Sequence, residues 1–120
     1  MWLYVQTTGE FFDGAENHVA TGYSGHGRGR NNPVYQAEKN VGPIPAGFYS
    51  IGDPRDGGHM GPYVLPLSPI NHDACGRSGF FIHGDDLAHD ASEGCIILGP
   101  TTRRLIGRST DRLLHVVPSL

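Results

Sequence analysis

The sequence predicts a mainly β fold in one small domain, residues 1–120, with one or two short helices. Three observations carry this. A chain of 120 residues fits a single domain with one modest core. Its 18 glycines and nine prolines are scattered without a strict period, which calls for many turns between short strands rather than a collagen-like or disordered tract. The stretches 80–83 and 95–98 are four-residue runs rich in Phe and Ile, the length of strands.

In chain order, residues 3–6 and Phe11-Phe12 flank TTGE and read as a hairpin, with a third strand over 18–23. Residues 24–40, SGHGRGRNNPVYQAEKN, are rich in Gly, Asn and charge and read as a long surface loop, either a connector or a functional segment. In GPIPAGFYSIG, Pro43 and Pro45 fix φ and Gly47 permits a tight turn into a strand over 48–51. A strand over 63–67 contains Pro66 and is therefore expected at a sheet edge. The runs 80–83 and 95–98, rich in Phe and Ile, are the strongest strands. Residues 101–108 fit one short helix behind Pro100, with Arg103 and Arg104 on its outside, and residues 113–117 close as a last strand.

Charge and composition exclude several function classes. Nine Lys and Arg against twelve Asp and Glu give a net charge of −3 with no run of like charge, which is not the footprint of a nucleic-acid binder. No apolar segment approaches the length of a membrane span, and the first residues, MWLYVQTTGEFF, lack the basic start and long apolar core of a secretory signal. The protein is expected without membrane insertion, made in the cytoplasm, and monomeric. Two cysteines, Cys75 and Cys95, are too few for a disulfide scaffold and do not have zinc-finger spacing.

The chemistry concentrates in GFFIHGDDLAHDASEGCIILGP, residues 79–100. A thiol near its free pKa is mostly protonated at neutral pH and becomes a strong nucleophile when an imidazole takes its proton. If the runs on either side are adjacent strands, the intervening loop returns the chain so that His83, at the end of one, meets Cys95, at the start of the other. Gly94 lets the backbone bend closely, so the N–H groups of Gly94 and Cys95 can converge on an oxyanion. Ser92 can bond within the turn or to substrate. The alternative is a buried, inert cysteine. Cys75, in the turn-rich ACGRSG, reads as a structural or incidental thiol. His83, His89, Asp90 and Cys95 can be drawn as a metal site, but their spacing matches no standard zinc cluster, so no metal is expected.

His83-Gly84 followed by Ser92-x-Gly94-Cys95-Ile96 resembles the active-site signature of the L,D-transpeptidase (YkuD-like) superfamily. GYSGHGRGRNNP, NVGPIPAGFYSIG, CGRSGFFIHGDD and ASEGCIIL, in that order over residues 23–117, resemble more closely the small bacterial family of type VI secretion L,D-transpeptidase effectors. This resemblance implies an L,D-transpeptidase-like β-sandwich or barrel and a cysteine enzyme that works without a cofactor on peptidoglycan stem peptides. It acts as an L,D-carboxypeptidase, an L,D-transpeptidase exchanging D-amino acids, or both. It further implies an antibacterial toxin, secreted and active in the periplasm of a target cell, with a cognate immunity protein as partner. By position, Cys95 corresponds to the nucleophile and His83 to its base, with the main chain around Gly84 orienting the imidazole, and Ser92 and Gly94 match the remaining motif positions. Arg77 falls in the G-R-S-G stretch, where it can hold a substrate carboxylate or form a structural ion pair. Glu93 stands beside the substrate where the wider superfamily has histidine. Two other classes stay open: a noncatalytic cell-wall or partner-binding module, and a metal-dependent peptidase.

Overall fold

The computed structural model describes residues 1–86 and 92–120. Among these, nine strands form one sheet: β1 (Trp2–Val5), β2 (Glu10–Phe12), β3 (His18–Thr21), β4 (Tyr23–Ser24), β5 (Gly47–Ile51), β6 (Leu65–Ile70), β7 (Phe80–His83), β8 (Ile96–Ile97) and β9 (Leu113–Val117), with one helix, α1 (Pro100–Arg108), before β9. The spatial order is β3-β2-β1-β9-β5-β6-β7-β8-β4. The first hairpin is present as expected, with Leu3 opposite Phe12 and Tyr4 opposite Phe11.

The two ends of this order are consecutive in the chain. β3 pairs with β2, and after the single residue Gly22, β4 pairs with β8. One extended stretch therefore borders both ends of the sheet and draws it into a nearly closed, barrel-like form. Gly22 permits the switch, because a Cβ there would collide with the carbonyl oxygen of Ile97 on β8. Inside lie Tyr4, Phe11, Tyr49, Leu65, Ile82, Ile96, Leu114 and Val116, at most 1% exposed, drawn from the inward positions of β1, β2 and β5 to β9. Ile106 of α1 joins this cluster.

Two expectations are corrected. β6 is central, paired with β5 on one side and β7 on the other, although it carries Pro66 and Pro69. The carbonyl of Pro66 faces β5 and accepts from Gly52 N at 2.8 Å, one residue beyond the end of β5, so the missing N–H costs no ladder bond. Alternation turns Pro69 the other way, past Phe80, where β7 begins.

The second correction concerns α1. Its proline stands at the first turn as expected, but Arg103 is 7% exposed while Leu105 is 50% exposed. Arg103 shares the inner face with Ile106, three residues on. Its Nε donates to Leu98 O at 3.0 Å, and its Nη1 donates to Pro62 O and Tyr63 O at 2.9 and 3.0 Å. Main-chain carbonyls thus make a socket for a buried guanidinium, which hydropathy ranking cannot foresee.

Candidate active site

β7 and β8 are adjacent, as the sequence predicts, but parallel: Ile82 lies beside Ile96 and His83 beside Ile97. The end of β7 therefore meets the end of β8, and one step back along this register puts Cys95 beside Phe81. In a parallel pair, opposed residues point to the same face, so Cys95 and His83, offset by two, also share one. Both line a cavity of about 470 Å³, together with Gly79, Glu93, Asp85 and His59.

His83 is 5% exposed. Its Nδ1 donates to Gly84 O at 2.9 Å, which fixes the tautomer and leaves Nε2 as the acceptor. This is the orienting main-chain contact expected at Gly84. Burial, above all, depresses the His83 pKa; the Gly84 bond opposes this, and the charges of Arg103 and His59 add to the depression. The ring is neutral at neutral pH.

Cys95 is partly exposed, and its Sγ donates to Gly79 O at 3.8 Å. Burial pushes the thiol pKa up to about 11, against the pull of the Phe81 N–H and the Arg77 charge. The resting pair is therefore thiol and imidazole, not thiolate and imidazolium. A thiol in this state reacts as a nucleophile only when a base removes its proton, and the bare Nε2 of a neutral imidazole is an acceptor of that kind.

The surroundings of the cysteine are stitched together by Ser92. Its hydroxyl, 1% exposed, donates to Cys95 O at 2.6 Å and accepts from Gly25 N at 2.9 Å and Gly94 N at 3.1 Å. Of the two roles open to Ser92 in the sequence, the structure has the turn-binding one. The same contacts correct the expectation for Gly94, whose N–H is taken by Ser92 and is not free for an oxyanion. Gly94 has φ +126°, and a Cβ there would collide with Arg77 Nη2. Its glycine is required by backbone shape and by the arginine behind it.

Arg77 departs most from expectation. It is 8% exposed, with Nη1 donating to Gln36 O at 2.7 Å and Pro43 O at 2.9 Å, and Nη2 to Gly42 O and Glu93 O at 3.2 Å each. Instead of waiting for a substrate carboxylate or pairing with an acidic side chain, it ties the 36–43 segment to the loop before Cys95. Ser24 completes the seam: its Oγ accepts from Ile44 N at 2.8 Å and donates to Gly94 O at 3.3 Å. The long segment over 24–40 thus has ends that clamp the cysteine loop, and its His26 and Asn40 reach the cavity. Glu93 keeps an exposed side chain on the cavity wall.

Cys75 is exposed on a turn, φ 57°, away from the cavity lining. His89 and Asp90, drawn with His83 and Cys95 as a metal site, lie outside the described residues. Among the described residues no group of three or more His, Cys, Asp or Glu is arranged to hold a metal ion, and no helix is long and apolar enough to cross a membrane.

Sequence reasoning missed His26, His59 and Asp85 at the cavity, and the buried Arg103 beneath Gly84. HGDD gave a local signal for Asp85; the others come from distant segments and left none. Residues 18–117 match the family model described as the Tlde1 domain, of a type VI secretion effector family, and no curated protein matches the chain.

Proposed function

We propose, from the premise that this chain belongs to the Tlde1-domain family of type VI secretion effectors, that it is a secreted cysteine enzyme cleaving or exchanging the terminal D-alanine of peptidoglycan tetrapeptide stems. The observation that carries the reading is the meeting of Cys95 and His83 at one cavity, with Nδ1 of the histidine held by Gly84 and Nε2 left to accept a proton.

Cys95 Sγ attacks the carbonyl carbon of the L-centre of the third stem residue, a diaminopimelate, as the thiol proton passes to His83 Nε2. The tetrahedral oxyanion collapses, the C–N bond to D-alanine breaks, and His83 returns the proton to the departing amine. A thioester remains on Cys95. Water, or the amine of a free D-amino acid, attacks it with His83 as base; the C–S bond then breaks and sulfur recovers its proton. Water gives a tripeptide stem and makes the enzyme an L,D-carboxypeptidase; an amine gives exchange and makes it an L,D-transpeptidase. Exposed Glu93 borders the entering stem. Such a substrate places the action in the periplasm of a target cell, and a toxin of this kind calls for a cognate immunity protein in the producer.

The test is mass spectrometry of muropeptides incubated with the purified protein. Tetrapeptide stems are expected to become tripeptides or to carry another D-amino acid, with the glycan intact. Released glycan fragments with unaltered stems would overturn the proposal.

A further inference from the structure

Gly84 and Asp85 follow His83 and form a thin wall. On one side lies the cavity of about 470 Å³ that holds Cys95; on the other lies a second cavity, about 510 Å³, bordered by Tyr23, Arg30, Arg103 and the start of α1. A segment with open space on both sides gets little positional hold from packing. Yet the Gly84 carbonyl sets the His83 tautomer through its 2.9 Å bond. Something else must hold this wall.

Two contacts do so. Arg103, fixed in its carbonyl socket, lies under Gly84, where an added Cβ would stand 2.9 Å from Nη2. From β4, on the far side of β8 from β7, Tyr23, 4% exposed, donates its hydroxyl to Asp85 Oδ1 at 2.6 Å. The same oxygen accepts from Asp86 N at 2.9 Å, pinning the chain on the far side of Asp85. The Arg30 guanidinium sits 3.7 Å from the centre of the Tyr23 ring. A cation over a phenol ring withdraws electron density and makes its O–H a stronger donor.

We infer that Tyr23 and Asp85 are positioning residues for His83, holding the Gly84 carbonyl where it keeps the proton on Nδ1 and presents the bare Nε2 to the Cys95 thiol. Neither touches the reacting atoms. Arg30 reinforces the Tyr23–Asp85 bond, which gives the 24–40 segment a part in the proton-transfer step. Because a misoriented base slows chemistry without loosening the substrate, the effect falls on kcat rather than KM. The inference rests on the proposed role of His83, so its test needs one readout that requires no substrate.

Tyr23→Phe removes only the hydroxyl and keeps the ring under Arg30; Asp85→Ala removes the acceptor at an exposed position and guards against a folding defect at Tyr23. Asp85→Asn keeps an acceptor oxygen and serves as the conservative rescue. In nitrogen-15-labelled protein, the imidazole resonances of His83 are expected to report one tautomer in the wild type and in Asp85→Asn, and a mixture in the other two. Turnover of tetrapeptide muropeptides should show kcat reduced about 10- to 100-fold in Tyr23→Phe and Asp85→Ala, the range for lost supporting contacts around a functional histidine, with KM changed by less than about twofold. A folded Tyr23→Phe and Asp85→Ala with the wild-type tautomer and kcat would overturn the inference. Tautomer mixing in the variants of a protein inactive on every muropeptide would support the positioning role and remove the proposed reaction instead.

Discussion

Replacing Arg77 separates a structural staple from a substrate contact, because the two roles move different quantities. The guanidinium donates to four main-chain carbonyls, at 2.7, 2.9, 3.2 and 3.2 Å, on two segments that nothing else of its length could bridge. Hydrogen bonds from a charged donor contribute about 1.5–3 kcal/mol each before desolvation of the cation is subtracted. That desolvation is substantial, since burial is the main cause lowering the Arg77 pKa. Breaking a buried, bonded charge by removing one side costs about 3–5 kcal/mol net. Arg77→Lys should come close to this, because a point ammonium cannot serve Gln36 and Pro43 on one side and Gly42 and Glu93 on the other. For a domain of this size such a loss lowers Tm by roughly 12–20 °C. The assay is thermal and urea unfolding, with KM measured on the fraction folded at low temperature. Native stability together with a KM raised tenfold or more would refute the staple and restore the carboxylate-binding role.

Cys95→Ala should abolish turnover while leaving the circular dichroism spectrum unchanged, and Cys75→Ser, at an exposed turn, should remain active; turnover by Cys95→Ala would remove the thioester mechanism. Because the Cys95 thiol is pushed up to about 11, its alkylation by iodoacetamide should keep rising beyond pH 9, and a plateau near neutrality would instead reveal a preformed thiolate–imidazolium pair. His83 is depressed by burial below its ordinary 6.5, so in the fold it resists protonation; its contribution to stability is present above about pH 6.5 and is lost as pH falls below that value, and kcat/KM should show its acid limb below the usual histidine range. An acid limb at or above pH 7 would contradict a buried neutral base. Gly22→Ala sets a Cβ against the Ile97 carbonyl at the point of sheet closure and should cost about 2–4 kcal/mol, read as a lowered urea midpoint; unchanged stability would mean that the β4–β8 pairing does not bear on the fold.

The elements most legible in the sequence are those whose shape is set locally. β9 is found over the residues expected from its apolar run, α1 starts at the proline that favours a first turn, and the hairpin of β1 and β2 follows from strands flanking a polar turn. Pro66 misled because the rule that places proline at an edge concerns unpaired N–H groups, and a neighbouring strand that stops short supplies the same freedom. At the site, the Cys95 and His83 pair was readable because both stand within one short motif. The bracing of Arg77 on the 36–43 segment and the Ser92 bond to Gly25 were not, since those partners lie 34 to 67 residues away. Arg103 was hidden by its own charge, which counts toward the surface in any hydropathy reading and toward the interior only when carbonyls converge on it.

The parallel pairing of β1 with β9 joins Trp2 to Leu114 and Val5 to Val117, across almost the whole length of the chain. During synthesis the ribosome releases β1 and β2 long before β9 exists, so the inner side of that hairpin waits without its neighbour. β5 waits likewise, because β9 also lies against it. β9, which follows the other eight described strands in the chain, is thus the keystone that lets the two halves of the sheet join. Closing so distant a pair is entropically costly and slows folding, and the early strands stay exposed to mispairing until β9 joins them.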